Sequence, residues 1–190
     1  VESNWAATDW RKALAVGGEF GSTPKRSVSV AASAGNVRPA APKLAGSGSF
    51  TLVTFPHSYL GDGAGAALPW MQEIPDPVTK LSWNSWAEIS QSKADELGVV
   101  FGDVISVETP AGSVELSVYP RGGVRDDVIA IPIGQGHTVG HWASHAGDAS
   151  HEGATAKDAM QRGVNVADLL PAATDEAGGQ AYLSTTANVS

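Results

Sequence analysis

The 190 residues predict a mainly β protein: a small closed barrel with one or two short helices and long irregular loops. Three observations carry this. Gly (22) and Pro (11) are abundant while only 17% of residues are charged, a balance that favours short strands and turns over long helices. Short runs dense in β-branched and aromatic residues recur from Phe50 onward, each ended by a glycine or proline signal. Hairpins this short leave open edges unless the sheet closes on itself, so a barrel is the economical arrangement.

Residues 1–20 are expected to form an N-terminal helix segment. Trp5, Ala6, Trp10, Ala13 and Leu14 fall near helical spacing, and Gly17-Gly18 stops the helix. Its two tryptophans make an apolar face that calls for a partner surface. Residues 21–49, rich in Ser, Ala, Gly and Pro, read as a linker. Residues 50–190 are expected to hold the barrel. Phe50–Phe55 is its first strand, ended by Pro56. Leu68–Pro77 holds three prolines and reads as an extended loop packed down by Trp70 and Met71. Ala87–Ile89 is a short strand. Ser90 then caps about two helical turns that stop at Gly98. Val104–Thr109 and Ser113–Tyr119 alternate with period two around Pro110-Ala-Gly112, which predicts a hairpin. Asp127–Ile131 reads as a strand buried on both faces. The stretch from Gly134 to Gly163 reads as loop anchored by Trp142. Val166–Leu170 is a short helical or extended touch, and Gln180–Val189 holds the final strand.

Composition also excludes function classes. The net charge of −8 has the wrong sign for a sequence-independent nucleic-acid binder. Zero cysteines exclude disulfides, thiolate zinc sites and Cys-ligated iron–sulfur clusters within these residues. There is no 18-residue apolar run of the kind that spans a bilayer as a helix. The sequence opens on Val1 with no signal-peptide pattern, so a processed chain or a piece of a longer one is expected.

The pattern Glu88-Ile-Ser, Ala94, Leu97-Gly98, Gly102-Asp103, Ile105, Val107, Thr109-Pro110, Gly112 and Val114 resembles the core of the molybdopterin dinucleotide-binding domain. That resemblance implies a double-psi β-barrel. Leu68-Pro-Trp-x-Gln-Glu-x-Pro-Asp-Pro-Val-Thr-Lys80 and Ile131-Pro-x-Gly-Gln-Gly-His-Thr138 resemble one branch more closely. This is the large iron–sulfur subunit of alternative complex III, a bacterial quinol-oxidising membrane complex. The Trp10-x-x-Ala-Leu14 helix is similar as well. The branch implies a barrel that has lost its pterin. It also implies iron–sulfur clusters in an adjoining region or partner, and iron–sulfur and haem-bearing subunits as partners. The implied location is the periplasmic or outer face of the cytoplasmic membrane, held peripherally by those partners.

In active molybdopterin enzymes, loops of this barrel contact the dinucleotide. The resemblance places the matching positions at Trp83-Asn84-Ser85-Trp86 and Gly134-Gln135-Gly136-His137. If molybdopterin guanine dinucleotide is bound, Asn84 and Gln135 would meet guanine or pterin edges, Gly136 would let backbone approach a phosphate, and His137 completes the set. The alternative at each is a satisfied loop side chain or a turn. His137, His141, His145 and His151 are close in sequence, but Gly136, Gly140 and Gly147 oppose the helix that would align them for a metal. Asp126-Asp127 and Asp175-Glu176 read as solvated carboxylates. No Gly-x-Ser-x-Gly elbow and no other catalytic set is present.

Two functions follow as expectations. The first is a non-catalytic scaffold within a membrane-associated electron-transfer complex. The second is a dinucleotide-binding domain of a molybdenum or tungsten oxidoreductase.

Overall fold

A computed structural model describes residues 9–18, 27–32, 43–139, 141–144, 162–175 and 177–190. The chain divides into two units, Val1–Ala40 and Ala41–Ser190. The first contains helix α1 (Trp10–Val16), where the Asp9 side chain accepts from the Lys12 N–H and Gly17 ends the helix at φ 82°. Trp5 lies outside the described residues.

The second unit is a closed six-stranded barrel with the order β1-β5-β2-β4-β3-β6. Its strands are β1 (Phe50–Pro56), β2 (Trp86–Ser90), β3 (Val104–Glu108), β4 (Ser113–Arg121), β5 (Val128–Ile133) and β6 (Thr186–Val189). β1 pairs parallel to β5, with Thr51 opposite Val128 and Pro56 opposite Ile133. β2 pairs parallel to β4, from Trp86 opposite Ser117 to Ser90 opposite Arg121. Each parallel pair gains an antiparallel neighbour, β6 beside β1 and β3 beside β4. Antiparallel contacts β2–β5 and β3–β6 join the two halves. The same three-stranded unit therefore occurs twice, which is the organisation of a double-psi barrel. The mainly β closed barrel read from composition and pattern is the fold of this chain.

Alternation along the strands fills the interior. Leu52, Ile89, Ile105, Val107, Leu116, Val118, Ile129 and Ile131 are buried inside, with Ala87 and Ala187 where strands crowd. β2 is buried along its whole length. Helix α3 (Gln91–Leu97) follows it directly. The Ser90 side chain accepts from the Lys93 N–H, and Gly98 closes the helix at φ 70°. A 3-10 helix at Val166–Leu169 sends Val166 and Leu169 into the same core. The Thr109 hydroxyl ties the β3–β4 hairpin to that helix by donating to the Leu169 carbonyl at 2.8 Å.

The segment expected to be extended over 68–77 instead contains helix α2 (Pro69–Glu73). Pro69 stands in its first turn, where a missing N–H costs nothing and the fixed φ already suits the helix. α2 carries Gln72 into the interior, 2% exposed. A second short helix, α4 (His141–Ser144), interrupts the stretch expected to be loop. β2, β4 and β5 run one or two residues longer than their apolar patterns suggest. Pro120 and Pro132 lie inside β4 and β5, where proline reads locally as a strand end. Among the described residues no helix is long and apolar enough to cross a membrane.

Candidate functional site

Three segments distant in sequence are stitched together where β5 ends. Gly136 N–H donates to the Arg162 carbonyl at 2.9 Å. Val164 N–H donates to the Ser85 hydroxyl at 3.1 Å. Gly136 lies so flat on the 164–165 backbone that a Cβ there would stand 2.0 Å from the Asn165 nitrogen. Gly163 approaches Ser85 as closely, since its Cβ would lie 2.3 Å from the hydroxyl oxygen. A cavity of about 470 Å³ opens beside this junction, with Asp62, Gln135, His137, Asn165, Leu170 and Tyr182 in its wall.

The cavity wall gathers three of the four residues that the dinucleotide reading selects: Gln135, Gly136 and His137. Asn84 is not part of it. The Asn84 side chain is exposed, and its oxygen accepts from the next N–H, that of Ser85, at 2.8 Å. Gln135 is 7% exposed and faces Gln72. The two amides bond reciprocally, Gln135 Nε2 to Gln72 Oε1 at 2.7 Å and Gln72 Nε2 to Gln135 Oε1 at 3.2 Å. Gln72 also donates to the Ala66 carbonyl at 3.0 Å. The His137 ring lies against Gly63 and meets the Gly134 carbonyl at 3.3 Å.

A pterin dinucleotide would need free amide edges and open glycine backbone from this loop. The Gln135 amide is engaged by Gln72, Gly136 is covered by the 164–165 backbone, and Asn84 stands apart. In this arrangement Asn84, Gln135 and Gly136 do not fit that group. The sequence signal for the loop was sound as punctuation: two glycines at positive φ, Gly134 (119°) and Gly136 (82°), mark a forced turn. Gln72, the partner that decides what Gln135 does, is 63 positions away and carries no local signal.

Sequence reasoning also passed over a polar network on β2. Glu88 is 4% exposed in an otherwise apolar strand. Its carboxylate accepts from Arg121 Nη1 at 2.6 Å and from the Trp86 indole at 3.2 Å. A lone glutamate inside Trp86-Ala-Glu-Ile89 was the available clue, because buried carboxylates are kept only when paired. Nearby, Asp76 organises the Pro75–Lys80 motif. Burial acts to raise its pKa. The backbone N–H groups of Thr79 and Val78, with the Thr79 and Ser58 hydroxyls, outweigh that and hold the carboxyl below its usual range. The motif is therefore a capped turn, with Lys80 at φ 62°.

His57 packs edge-on against Trp86, with ring centres 5.4 Å apart. Its Nδ1 accepts from the Tyr59 and Leu60 N–H groups at 3.2 and 3.3 Å. Burial lowers its pKa, and the Asp76 charge only partly opposes this. The unfolded chain therefore binds this proton first as pH falls. His57 leaves stability unchanged above the ordinary histidine pKa of about 6.5 and subtracts from it below. Urea unfolding is expected to show stability falling between about pH 7 and 5, with a flatter profile for His57→Gln. An unchanged profile in that variant would remove His57 as the cause.

The remaining sequence candidates stay on the surface. Asp127 pairs with Arg125 at 2.6 Å, and Asp126 accepts from the Ser92 hydroxyl. Asp175 caps its own turn by accepting from Ala177 and Gly179 N–H at 2.9 and 2.8 Å. Among the described residues no group of three His, Cys, Asp or Glu side chains could hold a metal. His145, His151 and Glu176 lie outside the described residues.

Residues 72–187 match the family model for the "Molydopterin dinucleotide binding domain". Among solved structures, acetylene hydratase from Pelobacter acetylenicus is similar, at a TM-score of 0.50 and 20% identity. That similarity covers 74% of this chain and 18% of the other, so this chain spans less than a fifth of that protein's length. At such identity the likeness speaks for the fold alone. No curated protein matches the chain.

Proposed function

This chain belongs to the molydopterin dinucleotide binding domain family, and from that premise we propose that it is a barrel domain of a longer electron-transfer subunit, acting as a scaffold. One observation carries the proposal: the amide best placed to read a pterin or guanine edge is locked in a reciprocal bond with Gln72. Two further features support it. Leu68–Lys80 and Ile131–Thr138 resemble the large iron–sulfur subunit of alternative complex III, whose partners carry clusters and haem. Val100, Phe101 and Val104 expose 66%, 57% and 65% of their surfaces within five residues, an apolar stretch of the kind that contacts another protein. In this reading partner subunits hold the domain at the outer face of the cytoplasmic membrane, and redox chemistry belongs to them.

A second reading keeps the barrel as a dinucleotide-binding domain of a molybdenum or tungsten oxidoreductase. The cavity of about 470 Å³ favours it, because its wall lies mostly within the matched residues. Titration with guanosine diphosphate, followed by tryptophan fluorescence, separates the two. The scaffold reading expects no saturable change up to millimolar nucleotide. A saturable change, or stoichiometric molybdenum or tungsten in the purified protein, would replace the first reading with the second.

A further inference from the structure

Among the described residues Arg162 has no counter-ion. Its guanidinium carbon lies 4.0 Å from the centre of the Trp83 ring. Its Nε is buried and has no hydrogen-bond partner. The ion pairs among the described residues are Lys93–Glu96, Arg121–Glu88 and Arg125–Asp127, and none includes Arg162. A partly desolvated charge left unpaired works against folding unless something compensates it. Burial alone draws the Arg162 pKa below its ordinary value.

The platform behind the guanidinium is fixed. Trp83 sits at φ 64°, a backbone conformation that bulky residues rarely adopt. The Arg162 carbonyl is held by Gly136 N–H, and Val164 N–H is held by the Ser85 hydroxyl. Trp142, 45% exposed, has its ring centre 6.4 Å from that of Trp83. One face of the guanidinium is covered by indole, so an anion must meet it along its N–H edge.

We propose that Arg162, backed by Trp83, anchors a single carboxylate presented by another polypeptide. A guanidinium fork and a carboxylate make a complete bidentate pair with no charge left over. A phosphate dianion would keep excess negative charge against a chain already at −8. Neither Trp83 nor Arg162 lines the cavity described above. Arginine beside tryptophan is instead the composition of protein–protein anchor points. The proposal extends the scaffold reading by naming what a docking partner presents. Its test does not depend on whether a nucleotide binds.

The whole chain is tested with sodium acetate as the carboxylate probe, against chloride and phosphate at matched ionic strength. Acetate is expected to shift the Arg162 Nε–H resonance saturably and to raise the melting temperature. Arg162→Gln should abolish both responses, and Arg162→Lys should weaken them. Arg162→Met, which removes the unpaired charge but keeps the bulk, should raise the melting temperature in chloride by about 2 °C. A melting temperature lowered by Arg162→Met, or loss of folding in that variant, would make the arginine a structural stacker and overturn the proposal. So would an acetate response that survives Arg162→Gln, or a stronger response to phosphate than to acetate.

Discussion

Gly136→Ala is expected to destabilise the barrel by about 3–5 kcal/mol, since it meets the closest backbone of the glycines described. Two costs add. The residue sits at φ 82°, where a Cβ is disfavoured. The new atom would also stand 2.0 Å from the Asn165 nitrogen and 2.2 Å from the Val164 carbonyl carbon. Both obstacles are backbone, so no side-chain rotation relieves them. Gly98→Ala is the control, because Gly98 has φ 70° with nothing within 4 Å of an added Cβ. It should cost only the conformational part, about 1 kcal/mol. Urea unfolding of both variants measures the difference. Equal losses would show that the 164–165 segment does not press on the loop after β5.

The second large effect is expected from Arg121→Met. Glu88 would remain 4% exposed with the Trp86 indole as its one remaining partner. Breaking one side of a buried pair costs about 3–5 kcal/mol, because the surviving charge stays desolvated. The Arg121 side chain is 40% exposed, which places the expected loss nearer about 2–3 kcal/mol. Adding Glu88→Gln should recover much of it, since the neutral amide has less to lose. A double variant no more stable than the single one would mean that Arg121 acts through packing of its stem and not through the carboxylate.

The parts of the fold that could be read from sequence are those whose causes are local. Ser90 and Gly98 bracket α3 because a hydroxyl cap and a left-handed glycine are chemical signals within one turn. The β3–β4 hairpin follows from period-two alternation around Pro110-Ala-Gly112. Closure of the sheet could be argued from short edges, but the parallel pairing of β1 with β5 spans 77 positions at Thr51 and Val128 and leaves no periodic trace. Pro69 misled because proline forbids helix interiors yet suits helix starts, and the sequence does not say which position it occupies. The candidate site divides the same way. Gly134 and Gly136 announced a constrained loop after β5. The contacts that decide its chemistry, Gln72 with Gln135 and Arg162 with Trp83, join residues 63 and 79 positions apart.

Because β6 pairs with both β1 and β3, four residues near position 188 seal the cylinder on two sides. During synthesis those residues emerge more than a hundred positions after β1, and until then both neighbouring strands offer bare N–H and C=O rows to solvent or to a chaperone. Assembly is therefore slow to commit and most exposed to mispairing just before translation of this region ends.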